Sequence, residues 1–190
     1  MASKHFLPIA GFLAAASPAW AHTGAGTTSG FLAGLLHPLQ GQDHVLAMVS
    51  VGLLAVLIGG RALWAVPASF VGMMLMGGGL GLSGWPMPEV ETGILASVVV
   101  LGAVVACGRS VPTGLAMALA GLFAIFHGYA HGVEMPLRVS AVSYSFGFAG
   151  ATILLHVIGI TVGMTAFHSP RVIRFAGVAI VLAGVASAVS

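Results

Sequence analysis

Two short clusters stand out among the ionisable residues of this 190-residue chain. One reads His37-Pro38-Leu39-Gln40-Gly41-Gln42-Asp43-His44, the other His127-Gly128-Tyr129-Ala130-His131-Gly132-Val133-Glu134. Between them they hold four of the eight histidines and two of the four carboxylates, so half of the imidazole and carboxylate groups lie in a few turns of chain. Imidazole with carboxylate is a ligand set for divalent transition metals such as zinc, nickel or cobalt. Both clusters abut long apolar runs. An ionisable group at membrane depth costs roughly 2.5–3.5 kcal/mol, so it normally faces a partner, a cavity or a substrate path. The pairing points to metal handling inside a membrane.

Spacing sharpens this. His127, His131 and Glu134 stand at i, i+4 and i+7, on one face of a helix, with Phe123 a turn earlier on the same stripe. The glutamate that follows the first histidine in zinc-protease helices is absent, so that chemistry does not transfer. Gly128 and Gly132 strip bulk from beside each ring and leave room for a neighbouring helix or a hydrated ion. The plainer alternative for His131 and Glu134 is a polar helix end at the external surface. His37 and His44 lie two helical turns apart, with Gln40 and Gln42 as neutral oxygen donors between them. Asp43 either binds an ion directly or holds an imidazole in one tautomer. It could also be a purely structural Asp–His pair. Pro38 disfavours the α conformation at His37, so the chain kinks or breaks there. A full break would line a cavity with freed backbone groups, as in discontinuous transporter helices. His156, midway along an apolar segment, is a further candidate ligand or a packed histidine.

The elements that must position these residues are transmembrane helices. Charged residues are 5% of the chain and mean hydropathy is +1.09, against about a quarter charged in a soluble domain. Lys4 and His5, the apolar Phe6–Ala16 stretch and Ala19-Trp20-Ala21 have the layout of a secretory signal peptide over residues 1–21. Cleavage there leaves residues 22–190 and makes His22, another candidate ligand, the new N-terminus. N-terminal sequencing of the membrane-purified protein is expected to return His22, and Met1 or Ala2 would refute cleavage. About 20 apolar residues span the hydrocarbon. Six segments qualify: Phe31–Ile58, Ala62–Leu82, Thr92–Cys107, Thr113–Ala130, Tyr144–Phe167 and Val172–Val189. The fold class expected is an all-α, polytopic bundle of six transmembrane helices. With the mature N-terminus outside, Arg61, Arg109, Arg171 and Arg174 fall in cytoplasmic loops, and external loops carry Glu89, Glu91, Glu134 and Arg138. That satisfies the positive-inside rule. His168, beside Arg171, falls at the cytoplasmic end.

Other classes recede. The mature chain has five arginines against four acids, which offers nucleic acid nothing. A single cysteine, Cys107, excludes both an internal disulfide and a thiolate cage. Met73, Met74 and Met76 read as helix packing. Glycine runs such as Met76-Gly77-Gly78-Gly79 read as close helix contacts. No phosphate-binding loop signature is present.

The run His37-Pro38-Leu39-x-Gly41-x-Asp43-His44-x-Leu46-Ala47-Met48, with Phe126-His127-Gly128-x-Ala130-His131-Gly132-x-Glu134, resembles the HupE/UreJ family over essentially the whole chain. The resemblance implies a secondary, ATP-independent permease for nickel, or cobalt, in the bacterial inner membrane. Such a permease is multi-pass, with its mature N-terminus in the periplasm, and serves a nickel enzyme such as hydrogenase or urease. It implies no enzymatic activity and no resident cofactor. Its partners are a divalent metal ion and membrane lipid, with an indirect link to the metalloenzyme. The family's functional residues carry over to His37, Asp43, His44, His127, His131 and Glu134.

Readings from other classes stand beside it. Gly81-Leu82-Ser83-Gly84 matches a rhomboid-protease pattern, with His156 available as a base. A zinc-dependent membrane hydrolase could use the same His/Asp set, and facing histidines can ligate haem iron. A non-conducting metal-binding maturation partner would keep the site without transport.

Overall fold

The computed structural model describes residues 30–165 and 169–189. The expected signal peptide, His22 and His168 lie outside the described residues. Among the described residues seven helices follow one another: α1 Gly30–Leu36, α2 Gln42–Ile58, α3 Ala62–Leu82, α4 Val90–Cys107, α5 Thr113–Val133, α6 Ala141–Thr165 and α7 Pro170–Ser187. A short 3-10 turn, His37–Leu39, joins α1 to α2, and no strand occurs among the described residues.

Sequence punctuation sets these limits. Gly59 and Gly60, both at positive φ, turn α2 into α3. Gly108 closes α4 in the left-handed conformation that suits glycine beyond a helix end. Pro112 precedes α5, Pro136 follows it, and Pro170 opens α7 where a missing N–H costs nothing. Pro67 sits inside α3, as membrane helices tolerate.

Four helices, α3 to α6, are long and apolar enough to cross a membrane; α1 with α2 makes a fifth if the pair is one span. The sequence expects six. The difference lies at the ends of the chain. The expected span Phe31–Ile58 is not one rod: its two parts meet at 82°, the break that His37-Pro38 and Gly41 impose. The expected span Val172–Val189 appears as the 18-residue α7, which carries Arg171 and Arg174 in its opening turns. Elsewhere the limits move by a turn or less. The third span starts at Val90 rather than Thr92, and the fourth runs on to Val133.

α3 packs along α5, α4 along α7, and both halves of the broken segment along α6. The core is apolar, with Val51, Leu54, Val66, Phe70, Val98, Leu101 and Val105 fully buried. Large apolar side chains also cover the outside, among them Phe146, Leu154, Phe175 and Leu182. A surface of this kind suits lipid, as in a multi-pass membrane protein.

Backbones approach closely where glycines face each other. A Cβ added to Gly128 would strike the Met74 carbonyl, and one on Gly132 the Gly78 carbonyl. The space left beside the two histidines is therefore filled by α3, the first of the two options the sequence allows.

Candidate metal centre

Three elements bring the two clusters to the same end of the bundle. His37 starts the 3-10 turn, and His44 lies in the first turn of α2. His127 and His131 occupy the last turns of α5, and Glu134 caps that helix. The 82° break carries His37 sideways over the end of α5 instead of along the line of α2. All three external-loop carboxylates expected from the sequence belong to this end, and Arg61, Arg109, Arg171 and Arg174 to the other.

The imidazoles form a continuous stack. Ring centroids lie 4.7 Å apart for His37 and His131, 4.4 Å for His131 and His44, and 4.7 Å for His44 and His127. All three pairs meet edge to face. His127 is fully buried, His131 is 4% exposed and His44 9%. His44 Nε2, His127 Nδ1 and both nitrogens of His131 are buried with no hydrogen-bond partner among the described residues. A buried polar atom left so costs about 1–3 kcal/mol, and a concentration of them marks a place meant for something else.

One subset has metal-ligand spacing. One ligand atom each from His37, His131 and Glu134 lie within 4.8 Å of one another, close enough to converge on a single ion. At present His37 Nε2 and Glu134 Oε2 are 3.0 Å apart. The hydrogen bond from His37 holds the Glu134 carboxyl below its usual range, so it is anionic at neutral pH.

Asp43 belongs to a different layer. Its Oδ1 accepts the His44 backbone N–H and lies 2.8 Å from His44 Nδ1. A carboxylate can only accept, so Nδ1 carries the proton and Nε2 keeps the lone pair. Of the three roles the sequence left open, the geometry matches both the orienting role and the structural Asp–His pair, which share this contact.

The apolar walls were not legible as parts of the site. Phe148 lies 4.0 Å from the His131 ring, and Tyr144 lies 6.0 Å from His37. A small cavity of about 20 Å³, room for roughly one water, reaches His131 between Gly128, Gly132, Met74, Tyr144 and Phe148. Tyr144, Phe148, Thr152 and His156 recur every fourth residue along α6 and are all buried. Ser97, inside an otherwise apolar helix, reaches His127 Nε2 at 2.8 Å. A lone serine in an apolar span was the available sequence signal.

His156 stands apart from the stack. It is 1% exposed, both ring nitrogens lack partners among the described residues, and its ring packs edge-on to Phe70 at 5.1 Å. Phe70 in turn lies 5.7 Å from His127. Ser83, the other half of the hydrolase reading, donates to the Leu80 carbonyl at the exposed end of α3. No hydrogen bond joins the two, so the serine-hydrolase pairing has no geometric support.

Residues 10–187 match the family model described as HupE / UreJ protein. The chain is similar to Protein HupE of Rhizobium leguminosarum bv. viciae, 46% identical over 176 residues that cover 91% of this chain and 92% of that one. No solved structure matches it.

Proposed function

Because this chain belongs to the HupE/UreJ family, we propose that its histidine stack is the substrate site of a secondary, ATP-independent permease for Ni²⁺, with Co²⁺ as the second accepted ion. The permease sits in the bacterial inner membrane, its signal peptide removed and its mature N-terminus in the periplasm. It crosses the membrane six times, with α7 as the last span. The ion it delivers supplies a nickel enzyme such as hydrogenase or urease.

One observation carries this reading: four imidazoles and a carboxylate, far apart in sequence, meet at one end of the bundle, and three of the rings are buried with nitrogens that no described group partners. His37, His131 and Glu134 would receive the ion, a neutral-plus-anionic N/O set that suits Ni²⁺ and Co²⁺. His44 and His127 would take it one step deeper, with Asp43 holding the His44 ring. His156 stands beyond Phe70 as the next nitrogen inward. Affinity order alone would favour copper, so selectivity rests on geometry and supply.

The test is uptake of radiolabelled nickel into proteoliposomes, with cobalt and zinc as competitors. Nickel accumulation that unlabelled cobalt suppresses supports the proposal. A protein that binds nickel yet moves none would instead be a maturation partner. External pH gives a second check. A neutral imidazole is required for coordination, and its reference pKa is about 6.5. Glu134, held below its ordinary value, stays anionic through the same interval. Uptake is therefore expected to fall as external pH is lowered far enough to protonate the imidazoles, because each protonated ring is lost as a ligand. Uptake that falls at no acidic pH at which the protein stays folded would contradict imidazole ligation.

A further inference from the structure

We infer that Ser97 is a positioning residue for the metal path, fixing the tautomer of His127 so that Nδ1 is the nitrogen offered to the cation. The inference rests on the metal-binding reading of the histidine stack and adds a residue from outside both sequence clusters.

The argument is a count of one hydrogen. Ser97 is fully buried in α4 and makes two polar contacts. Its hydroxyl donates to the Ile94 carbonyl one turn back. A carbonyl oxygen can only accept, so the hydrogen in that contact is the hydroxyl's own. A serine hydroxyl carries a single hydrogen, so it is already committed, and Oγ can only accept from its other neighbour. That neighbour is His127 Nε2, at 2.8 Å. The hydrogen between them must therefore come from the ring. Nε2 is protonated, and in the neutral imidazole Nδ1 keeps its lone pair.

The surroundings agree. Nδ1 of His127 is buried with no partner among the described residues, while the ring stands edge to face with His44, 4.7 Å between centroids. Asp43 does for His44 what Ser97 does for His127, leaving Nε2 open. The two adjacent rings are thus each held from behind by an acceptor. One is an anion near the surface of the bundle and the other a neutral hydroxyl in its core. A neutral acceptor suits the deeper ring, since a second buried carboxylate there would carry a heavy desolvation cost.

Partners that orient a metal-ligating histidine typically change affinity by about 10–100-fold when removed. The experiment uses the full chain labelled with ¹⁵N-histidine in detergent or bilayer, with the His127 signals identified by their loss in His127→Gln. In the metal-free wild type, Nε2 is expected to be protonated and Nδ1 bare. Ser97→Ala is expected to mix the tautomers and weaken nickel binding, measured by equilibrium dialysis, by about tenfold or more at unchanged membrane abundance. Ser97→Thr, which keeps the hydroxyl, should restore both signals and affinity. A proton on Nδ1 in the wild type would overturn the proposal. So would a Ser97→Ala protein with its tautomer unchanged, or with affinity within twofold of wild type. A wild-type chain that binds no nickel would remove the reading beneath it, and the tautomer spectrum, recorded without metal, distinguishes that failure from this one.

Discussion

Replacing His44 or His127 by alanine is expected to abolish nickel uptake at low metal while leaving the protein in the membrane at its normal abundance. Each ring contributes a buried nitrogen that no described protein group uses. His44→Ala frees only Asp43 Oδ1, which keeps the backbone N–H of residue 44, and His127→Ala frees only Ser97 Oγ, whose own hydrogen remains bonded to Ile94. The loss to folding is then mainly packing, and the loss to transport is complete. His168→Ala, at the cytoplasmic end by the sequence reading, should leave uptake near wild type. Immunoblots of membranes alongside radiolabelled uptake separate the cases. Persistent transport in a His44/His127 double variant at normal abundance would mean that the stack is structural.

The second large effect concerns a residue with no side chain. Gly128→Ala should cut membrane abundance severely, because its Cβ would collide with the Met74 carbonyl across the α3–α5 seam. Backbone cannot rotate aside as a side chain can, and overpacking typically costs about 1–3 kcal/mol or more. Adding Gly132→Ala, against the Gly78 carbonyl, should leave almost no folded protein. Gly72→Ala is the internal comparison: its Cβ meets nothing within 4 Å, and within a helix alanine is favoured by roughly 0.5–1 kcal/mol. Equal abundance of the Gly72 and Gly128 variants would refute the close seam.

Much of the site was legible because membrane energetics leave so few places for polar groups. His37, His44, His127, His131 and Glu134 stood out against apolar flanks, and antiparallel spans set them at matching depth. The break at His37-Pro38 was legible in kind, since proline restricts the residue before it, but its 82° was not. Sequence spacing treats His37 and His44 as two turns of one helix, whereas the break lets His37 pair with Glu134, 97 residues away. Asp43 could be read either way until its oxygen was placed against His44 Nδ1. Ser97, Tyr144 and Phe148 were invisible as site residues, because whether a buried side chain faces a neighbouring helix or its own backbone depends on packing that no single-chain periodicity encodes.

The packed core beyond the stack has a kinetic consequence. On the arginine side of His44 and His127 the centre of the bundle is filled by Val51, Leu54, Val98, Leu101 and Val105, all essentially without exposure. An ion held by imidazoles at one end meets closely packed hydrocarbon on the way to the other. Passage by this chain would then demand that helices slide or tilt once per ion, on the microsecond-to-second clock of collective motions. Flux would level off as external nickel rises, at a ceiling set by how often the bundle rearranges. A steep transmembrane gradient would raise occupancy of the stack and leave that ceiling where it is.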